Sequence, residues 1–220
     1  ELTALPIAAL AAFLKDNRSA EAAMKFLILS AISSAVLLYG MVFIYGFTGT
    51  TVLADISDRI WNIGLNDSLP FGGYALLFGI VLMIAGFGFK IAMVPFQMWA
   101  PDVYEGSPTP ITAFLSVGSK AAGFAVILRV FYIAFPLDLL SIEWSAIFAV
   151  LSALSMTLGN LVAIAQNNIK RLLAYSTIAH AGYLLMGLAA VSTRGPVTHE
   201  LMGSSGVLFY LGGYAATNLA

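Results

Sequence analysis

The sequence predicts an all-α protein, a polytopic bundle of transmembrane helices in which one helix is discontinuous. Hydrophobic residues make up 60% of the 220 residues, charged residues make up only 10%, and the mean hydropathy is +0.92. Soluble domains, in contrast, carry a charge on roughly a quarter of their residues. Several apolar runs also reach the roughly 20 residues that a helix needs to cross a bilayer. One of these runs contains both Lys90 and Pro95, which predicts the interruption.

We assign the helices from these apolar runs, as a single transmembrane domain over residues 1–220. The predicted spans lie at about 26–46, 72–99, 110–135, 145–165 and 172–191, with partial spans at 2–14 and 202–220. The span at 72–99 should break near Pro95, because proline cannot donate to the carbonyl of Ile91 and its ring clashes with it. We expect a loop at 100–109, which is rich in turn-forming residues. Because the chain begins with Glu1 and stops inside an apolar run, we expect an internal fragment of a longer protein.

The composition restricts the chemistry that this chain can perform. It contains no cysteine, which excludes disulfides, thiolate metal ligands and iron–sulfur ligation, and its two histidines are far apart. We therefore expect no metal and no bound cofactor on this chain. A net charge of −1 without a basic run argues against nucleic acid as a partner. No glycine-rich phosphate-binding motif is present either.

Basic residues between the spans predict the orientation in the membrane. One side carries Lys15, Arg18, Lys25, Lys170 and Arg171, whereas the other side carries Arg59 and Arg194. Cytoplasmic loops carry the excess of lysine and arginine. Segments 15–25, 100–109 and 166–171 are therefore predicted to be cytoplasmic.

Lys120 lies about ten residues into the span that begins at Pro110. At about 1.5 Å per residue, it is roughly 15 Å deep, close to the bilayer midplane. Inserting a lysine there costs at least about 2.5–3.5 kcal/mol, so it should face the bundle interior or a water-filled cavity. Its helix face carries further small and polar residues, namely Thr112, Ser116, Ser119 and Gly123. We interpret Lys120 as a proton-transfer residue; the alternative is a structural lysine bonded to carbonyls of neighbouring helices.

Lys90 lies just before the expected helix break. Gly79, Met83 and Gly86 share its helix face, where small residues could leave room for water or could permit close helix packing. A lysine held away from bulk water can exchange protons near neutral pH. The alternative is a lysine that extends to the membrane interface beside a kinked helix.

Two motifs carry a family resemblance. They are GFGFKIAMVPFQMWAPDVYEGSPTPITAFLSVGSKAAGF at 86–124 and KRLLAYSTIAHAGYLL at 170–185. Both resemble the antiporter-like membrane subunits of proton-pumping NADH:quinone oxidoreductase, respiratory complex I. The Ala-His-Ala-Gly-Tyr ending is more similar to the subunit N members of that family than to their larger paralogues.

The resemblance implies part of an antiporter-like fold and a proton-translocating membrane subunit of a translocase. It implies that Glu1, Lys25, Lys90 and Lys120 pass protons along a hydrated axis, with no redox centre on this chain. NADH, FMN, iron–sulfur clusters and quinone would act elsewhere in the complex. The implied partners are other membrane subunits, the lipid bilayer, protons and water, and the implied location is a bacterial plasma membrane.

Three residues leave alternatives open. Gln97 stands where the family commonly has histidine; its amide cannot titrate but can orient water, so it is a possible relay. His180 is a second possible relay on a face with hydroxyl-bearing neighbours, or a packing residue between helices. Lys25 has Glu21 four residues before it, so an interfacial ion pair is the alternative to proton transfer.

The sequence thus supports three functions. The first is proton translocation in NADH:quinone oxidoreductase. The second is that of a subunit of a multisubunit cation/proton antiporter. The third is a membrane scaffold that moves no protons, which predicts that Lys90 and Lys120 can be replaced without loss of pumping.

Overall fold

The computed structural model describes residues 3–63, 70–135, 137–190 and 200–219, and over these ranges the chain is helical without strands. The all-α fold class with a discontinuous helix is confirmed. The elements are α1 (Ala4–Ala11), α2 (Asn17–Thr48), α3 (Leu53–Ile63), α4 (Pro70–Ile91), α5 (Trp99–Gly106), α6 (Thr109–Phe114), a π-helical turn (Leu115–Ser119), α7 (Lys120–Ile133), α8 (Leu137–Ile164), α9 (Ile169–Ala189) and α10 (Glu200–Leu219).

Five helical stretches within the described residues are long and apolar enough to cross a membrane. They are Asn17–Thr48, Gly73–Ile91, Thr109–Ile133, Trp144–Ile164 and Ile169–Ala189. The third runs through α6, the π-helical turn and α7 without interruption. The chain is therefore a multi-pass membrane protein.

Two elements begin where local chemistry, rather than hydropathy, sets the boundary. α2 starts at Asn17 instead of near residue 26, because Oδ1 of Asp16 accepts a hydrogen bond from the backbone N–H of Ser19 at 2.7 Å and caps the helix. The prediction of a loop at 100–109 is wrong over most of that range, because α5 occupies it as far as Gly106. Pro101 fits in the first turn of α5, where a backbone N–H has no partner within the helix.

Small residues allow the long helices to pack backbone against backbone. A Cβ on Gly159 of α8 would lie 2.7 Å from the backbone nitrogen of Ala179 of α9, and one on Gly182 of α9 would lie 2.8 Å from that of Met156. Such close approach is typical of membrane helices, whose association depends on packing rather than on exclusion of water. It fixes α9, which carries Thr177 and His180, firmly against α8.

The three segments predicted to be cytoplasmic lie at one end of the bundle. Lys25 from segment 15–25 and Arg171, which ends segment 166–171, both contact Asp102 of segment 100–109. Their shared location agrees with the orientation that the loop charges predict.

Candidate functional site

The break in the long helix comes directly after Lys90. α4 ends at Ile91, Ala92 has a left-handed backbone conformation with φ of 56°, and helical structure resumes at Trp99. Pro95 lies four residues after Ile91 and has no N–H for the Ile91 carbonyl, so the helix cannot continue past this point. The structure therefore has the interruption where proline chemistry predicts it.

Protein groups satisfy the backbone around the break. The indole Nε1–H of Trp99 donates to the carbonyl oxygen of Phe89 at 2.9 Å. The backbone N–H of Val94 donates to Oγ of Ser155 on α8 at 3.0 Å. Irregular backbone at membrane depth requires such partners. The conformation of the break therefore depends on hydrogen bonds with residues of α5 and α8.

Lys90 is partly buried, and its Nζ donates to Oγ of Ser30 on α2 at 3.2 Å. Of the two interpretations of its glycine-rich face, close packing is the one that the structure supports. A Cβ on Gly86 would lie 2.5 Å from Cβ of Leu37, and one on Gly79 would lie 2.9 Å from Cβ of Phe43. The face that the sequence analysis considered as room for water is therefore filled by α2.

Lys120 is buried inside the bundle, with 2% of its surface exposed. It follows the π-helical turn, a rare geometry that is frequent at functional sites. Its Nζ donates to the backbone carbonyl of Thr177 on α9 and lies 5.4 Å from the ring centroid of Tyr214 on α10. A carbonyl accepts a hydrogen bond from an ammonium and from a neutral amine alike. The site can therefore hold either protonation state, and the same contact fits the structural alternative.

α7 places the two lysines on facing elements. A Cβ on Gly123, one turn after Lys120, would lie 2.8 Å from Cγ2 of Ile91 and 3.9 Å from Cβ of Lys90. Gly123 therefore allows α7 to reach the end of α4. Helical periodicity places Gly123 on the lysine-bearing face, but its contact with Ile91 joins two helices and cannot be predicted from one of them.

His180 lies in a cluster of tyrosines beside the Lys120 contact. Its Nδ1 is 2.6 Å from the hydroxyl of Tyr210, and its ring centroid is 5.0 Å from that of Tyr214 and 5.6 Å from that of Tyr183. The Tyr214 hydroxyl also donates to Oγ1 of Thr177 at 3.1 Å. The arrangement fits a relay and a packing residue equally, so both interpretations of His180 stay predictions.

Gln97 lies within the break, between α4 and α5. Its side-chain oxygen is buried and has no hydrogen-bond partner among the residues that the structure describes. A buried acceptor of this kind is suited to hold a water molecule. Its role as a relay stays a prediction. Among all the residues that the structure describes, no three His, Asp or Glu side chains come together as a metal site requires.

Lys25 pairs with Asp102 as well as with Glu21. Its Nζ is 2.7 Å from Oδ2 of Asp102 and 2.7 Å from Oε1 of Glu21, the residue four positions before it. Glu1, which the resemblance places near Lys25 on the proton path, lies outside the described residues. The ion pair that the sequence analysis weighed as the alternative is therefore present.

Asp102 is a site residue that sequence patterns alone did not predict. Burial would raise the pKa of its carboxyl, but hydrogen bonds from Lys25 and Arg171 outweigh that effect and hold the pKa below its ordinary value of 3.8. One signal was available, since Asp102 is the first charged residue after Lys90. Its partners lie 77 and 69 residues away in sequence, which no local pattern reveals.

Comparison with known proteins gives a consistent set of relatives. Residues 1–219 match a family model described as NADH:quinone oxidoreductase/Mrp antiporter, TM. The chain is 51% identical to NADH-quinone oxidoreductase subunit N of Dehalococcoides mccartyi, an alignment that covers all of this chain and 44% of that relative. The chain thus spans less than half the length of this relative.

Solved structures share the fold over nearly the whole chain. A chain of respiratory complex I from Thermus thermophilus with bound aureothin is 37% identical, with a TM-score of 0.71 over 98% of this chain and 43% of that one. A chain of membrane-bound sulfane sulfur reductase, an archaeal respiratory membrane complex, is 28% identical, with a TM-score of 0.80 over 98% of this chain and 41% of that one.

Proposed function

Since this chain belongs to the NADH:quinone oxidoreductase/Mrp antiporter transmembrane family, we propose that it is a proton-translocating part of subunit N of a NADH:quinone oxidoreductase. The observation that carries the proposal is the burial of Lys120 against a backbone carbonyl, on a helix that reaches the break beside Lys90. An ionisable residue within a membrane bundle is costly and is retained where it has a function. The 51% identical relative bears the same subunit name.

In this proposal Lys90 and Lys120 exchange protons in turn. Each amine accepts a proton to become an ammonium and then releases it. The hydroxyl of Ser30 and the carbonyl of Thr177 remain hydrogen-bond acceptors for both forms. Gln97 orients water at the break, and His180 with Tyr210 extends the polar path towards α10. The resemblance predicts proton transfer by Glu1 and Lys25 as well, and for Lys25 an ion pair with Asp102 and Glu21 is the alternative.

Electron transfer takes place elsewhere in the complex. NADH, FMN, iron–sulfur clusters and quinone belong to other subunits, and quinone reduction changes the relative stability of the charged and neutral lysines through the membrane subunits that contact this one. The partners are those membrane subunits, the lipid bilayer, protons and water. Relatives from bacteria support a bacterial plasma membrane as the location.

The test is proton uptake per electron in proteoliposomes that contain the intact parent complex. We expect Lys90→Met and Lys120→Met to lower this ratio strongly while the complex assembles fully, because methionine cannot carry a proton. Lys15→Met is the matched control, since it makes the same change at an exposed residue. Pumping by both buried variants at the level of Lys15→Met would refute the proposal and favour the scaffold function.

The antiporter alternative follows from the family description, which includes Mrp antiporters. It is distinguished by the ion that moves. Sodium-dependent transport by the parent complex would favour it, whereas proton uptake that is independent of sodium and depends on quinone reduction supports the proposal made here.

A further inference from the structure

Asp102 lies between two basic side chains that come from different helices. Its Oδ2 accepts a hydrogen bond from Nζ of Lys25 on α2 at 2.7 Å, and its Oδ1 accepts one from Nη1 of Arg171 on α9 at 2.8 Å. We name these two ion pairs the Asp102 tether. α5, which carries Asp102, is thereby connected to both α2 and α9.

The charges around the Asp102 tether are balanced. Glu21 of α2 pairs with Lys25 at 2.7 Å, Glu105 of α5 pairs with Arg171 at 3.0 Å, and Arg18 of α2 lies 3.6 Å from Glu105. A cavity of about 200 Å³ opens beside these groups. The side chains of Lys25 and Asp102 remain 43% and 30% exposed, so each pair alone is weak. The two pairs act together because both converge on one carboxylate.

α5 connects the Asp102 tether to the helix break. Trp99 is the first residue of α5, three positions before Asp102, and it is buried. Its indole N–H donates to the carbonyl of Phe89, the residue that directly precedes Lys90. α5 has only eight residues, so its two ends move together. A displacement at Asp102 therefore reaches the backbone next to Lys90.

We propose that Asp102 is a positioning residue, which holds α5 against α2 and α9 and thereby keeps the helix break beside Lys90 closed. The inference deepens the proposed function and rests on it for its effect on pumping. It also gives Lys25 a different role from the one that the resemblance predicts. In the Asp102 tether Lys25 supplies a positive charge and need not exchange its proton.

The structural test measures how readily the break opens. Val94 lies in the break and is 7% exposed. This chain has no cysteine of its own. The variant Val94→Cys in the intact parent complex therefore places a single buried thiol of this chain in the break. Its reaction with a water-soluble maleimide is followed by mass spectrometry of the peptide that contains it. We expect Asp102→Asn to speed this reaction roughly 5- to 30-fold, the range that corresponds to one or two modest interactions. Glu21→Gln is the matched control, because Glu21 contacts Lys25 within α2 and does not hold α5.

The functional test compares proton uptake per electron among variants that assemble fully. Asp102→Asn and Lys25→Met should lower the ratio, and Lys25→Arg should restore most of what Lys25→Met loses. Arginine keeps the charge that binds Asp102 but does not release its proton in proteins. Loss of pumping in Lys25→Arg, with labelling of Val94→Cys as slow as in the parent, would overturn the purely electrostatic role of Lys25 and identify it as a proton carrier.

The two tests separate this inference from the proposed function. If Lys90→Met and Lys120→Met both pump normally, the proposed function fails, and labelling of Val94→Cys still decides whether Asp102 holds the break. If Lys90→Met abolishes pumping while Asp102→Asn leaves both labelling and pumping unchanged, only the positioning role of Asp102 is overturned.

Discussion

Replacement of Gly86 by alanine should move α4 away from α2 and disturb Lys90. A Cβ at this position would lie 2.5 Å from Cβ of Leu37 and 2.9 Å from its Cα, whereas ordinary contact begins at 3.4 Å. The helices must therefore separate by about 0.9 Å, since 3.4 Å less 2.5 Å remains to be gained. Truncation of Leu37 to alanine would not relieve the clash, because Cβ and backbone atoms are the ones contacted.

The energetic cost of Gly86→Ala is the difference between two opposing effects. Overpacking costs about 1–3 kcal/mol, and alanine in place of glycine within a helix returns about 0.5–1 kcal/mol. We therefore expect a net loss of stability of about 1 kcal/mol, within a range of about 0–2.5 kcal/mol. Lys90 lies one turn further along α4, so the same shift would lengthen its 3.2 Å hydrogen bond to Ser30 to about 4 Å, beyond hydrogen-bonding distance.

The assay for Gly86→Ala combines heat denaturation of the purified complex with proton uptake per electron in proteoliposomes. Gly46→Ala on α2 is the matched control, because a Cβ there meets nothing within 4 Å. We expect Gly86→Ala to lower both the melting temperature and the pumping ratio, whereas Gly46→Ala should leave them unchanged. Identical behaviour of the two variants would refute the argument that close α2–α4 contact holds Lys90.

Three further predictions follow from contacts elsewhere in the site. Tyr214→Leu should lower proton uptake per electron more than Tyr214→Phe does, because phenylalanine keeps an aromatic ring 5.4 Å from the Lys120 amine and loses only the hydroxyl. Ser155→Ala should cost about 1–3 kcal/mol, measured as a lower melting temperature, because it leaves the buried N–H of Val94 without its acceptor. The pKa of Asp102 is held below its ordinary value of 3.8, so its carboxylate stabilises the fold above that pH. The difference in melting temperature between the parent and Asp102→Asn should therefore stay constant from neutral pH to about 5 and decrease in stronger acid.

Each of these predictions has a result that would contradict it. Equal pumping by Tyr214→Phe and Tyr214→Leu would mean that the ring has no effect on Lys120. Ser152→Ala, which removes a hydroxyl that donates to the Gly182 carbonyl within the same helix pair, is the control for Ser155→Ala. Ser152→Ala removes a donor and leaves no buried N–H without a partner, unlike Ser155→Ala. The two variants should therefore differ in melting temperature. A stability difference for Asp102→Asn that falls already near neutral pH would mean that other groups control it.

The sequence could predict those features of the site that depend on a residue and its near neighbours. Lys90 and Pro95 together predict a helix break after the lysine, and α4 ends at Ile91. The depth of Lys120 in its span predicts that it faces the interior, and it is 2% exposed. The choice of acceptor could not be predicted, because the Thr177 carbonyl reaches Lys120 only through the packing of α9 on the bundle.

Hydropathy, the missing N–H of proline and the length of apolar runs act within one helix, and for that reason the sequence alone determined the helical membrane fold and the interrupted span. The motifs at 86–124 and 170–185 likewise indicated the family. Tertiary structure alone decided what each helix face meets: that α2 fills the glycine face of α4, that α5 is a helix, and that Lys25 pairs with Asp102. These contacts join residues up to 77 positions apart. Their geometry depends on how whole helices pack, and that packing is set by the joint fit of many side chains rather than by any local pattern.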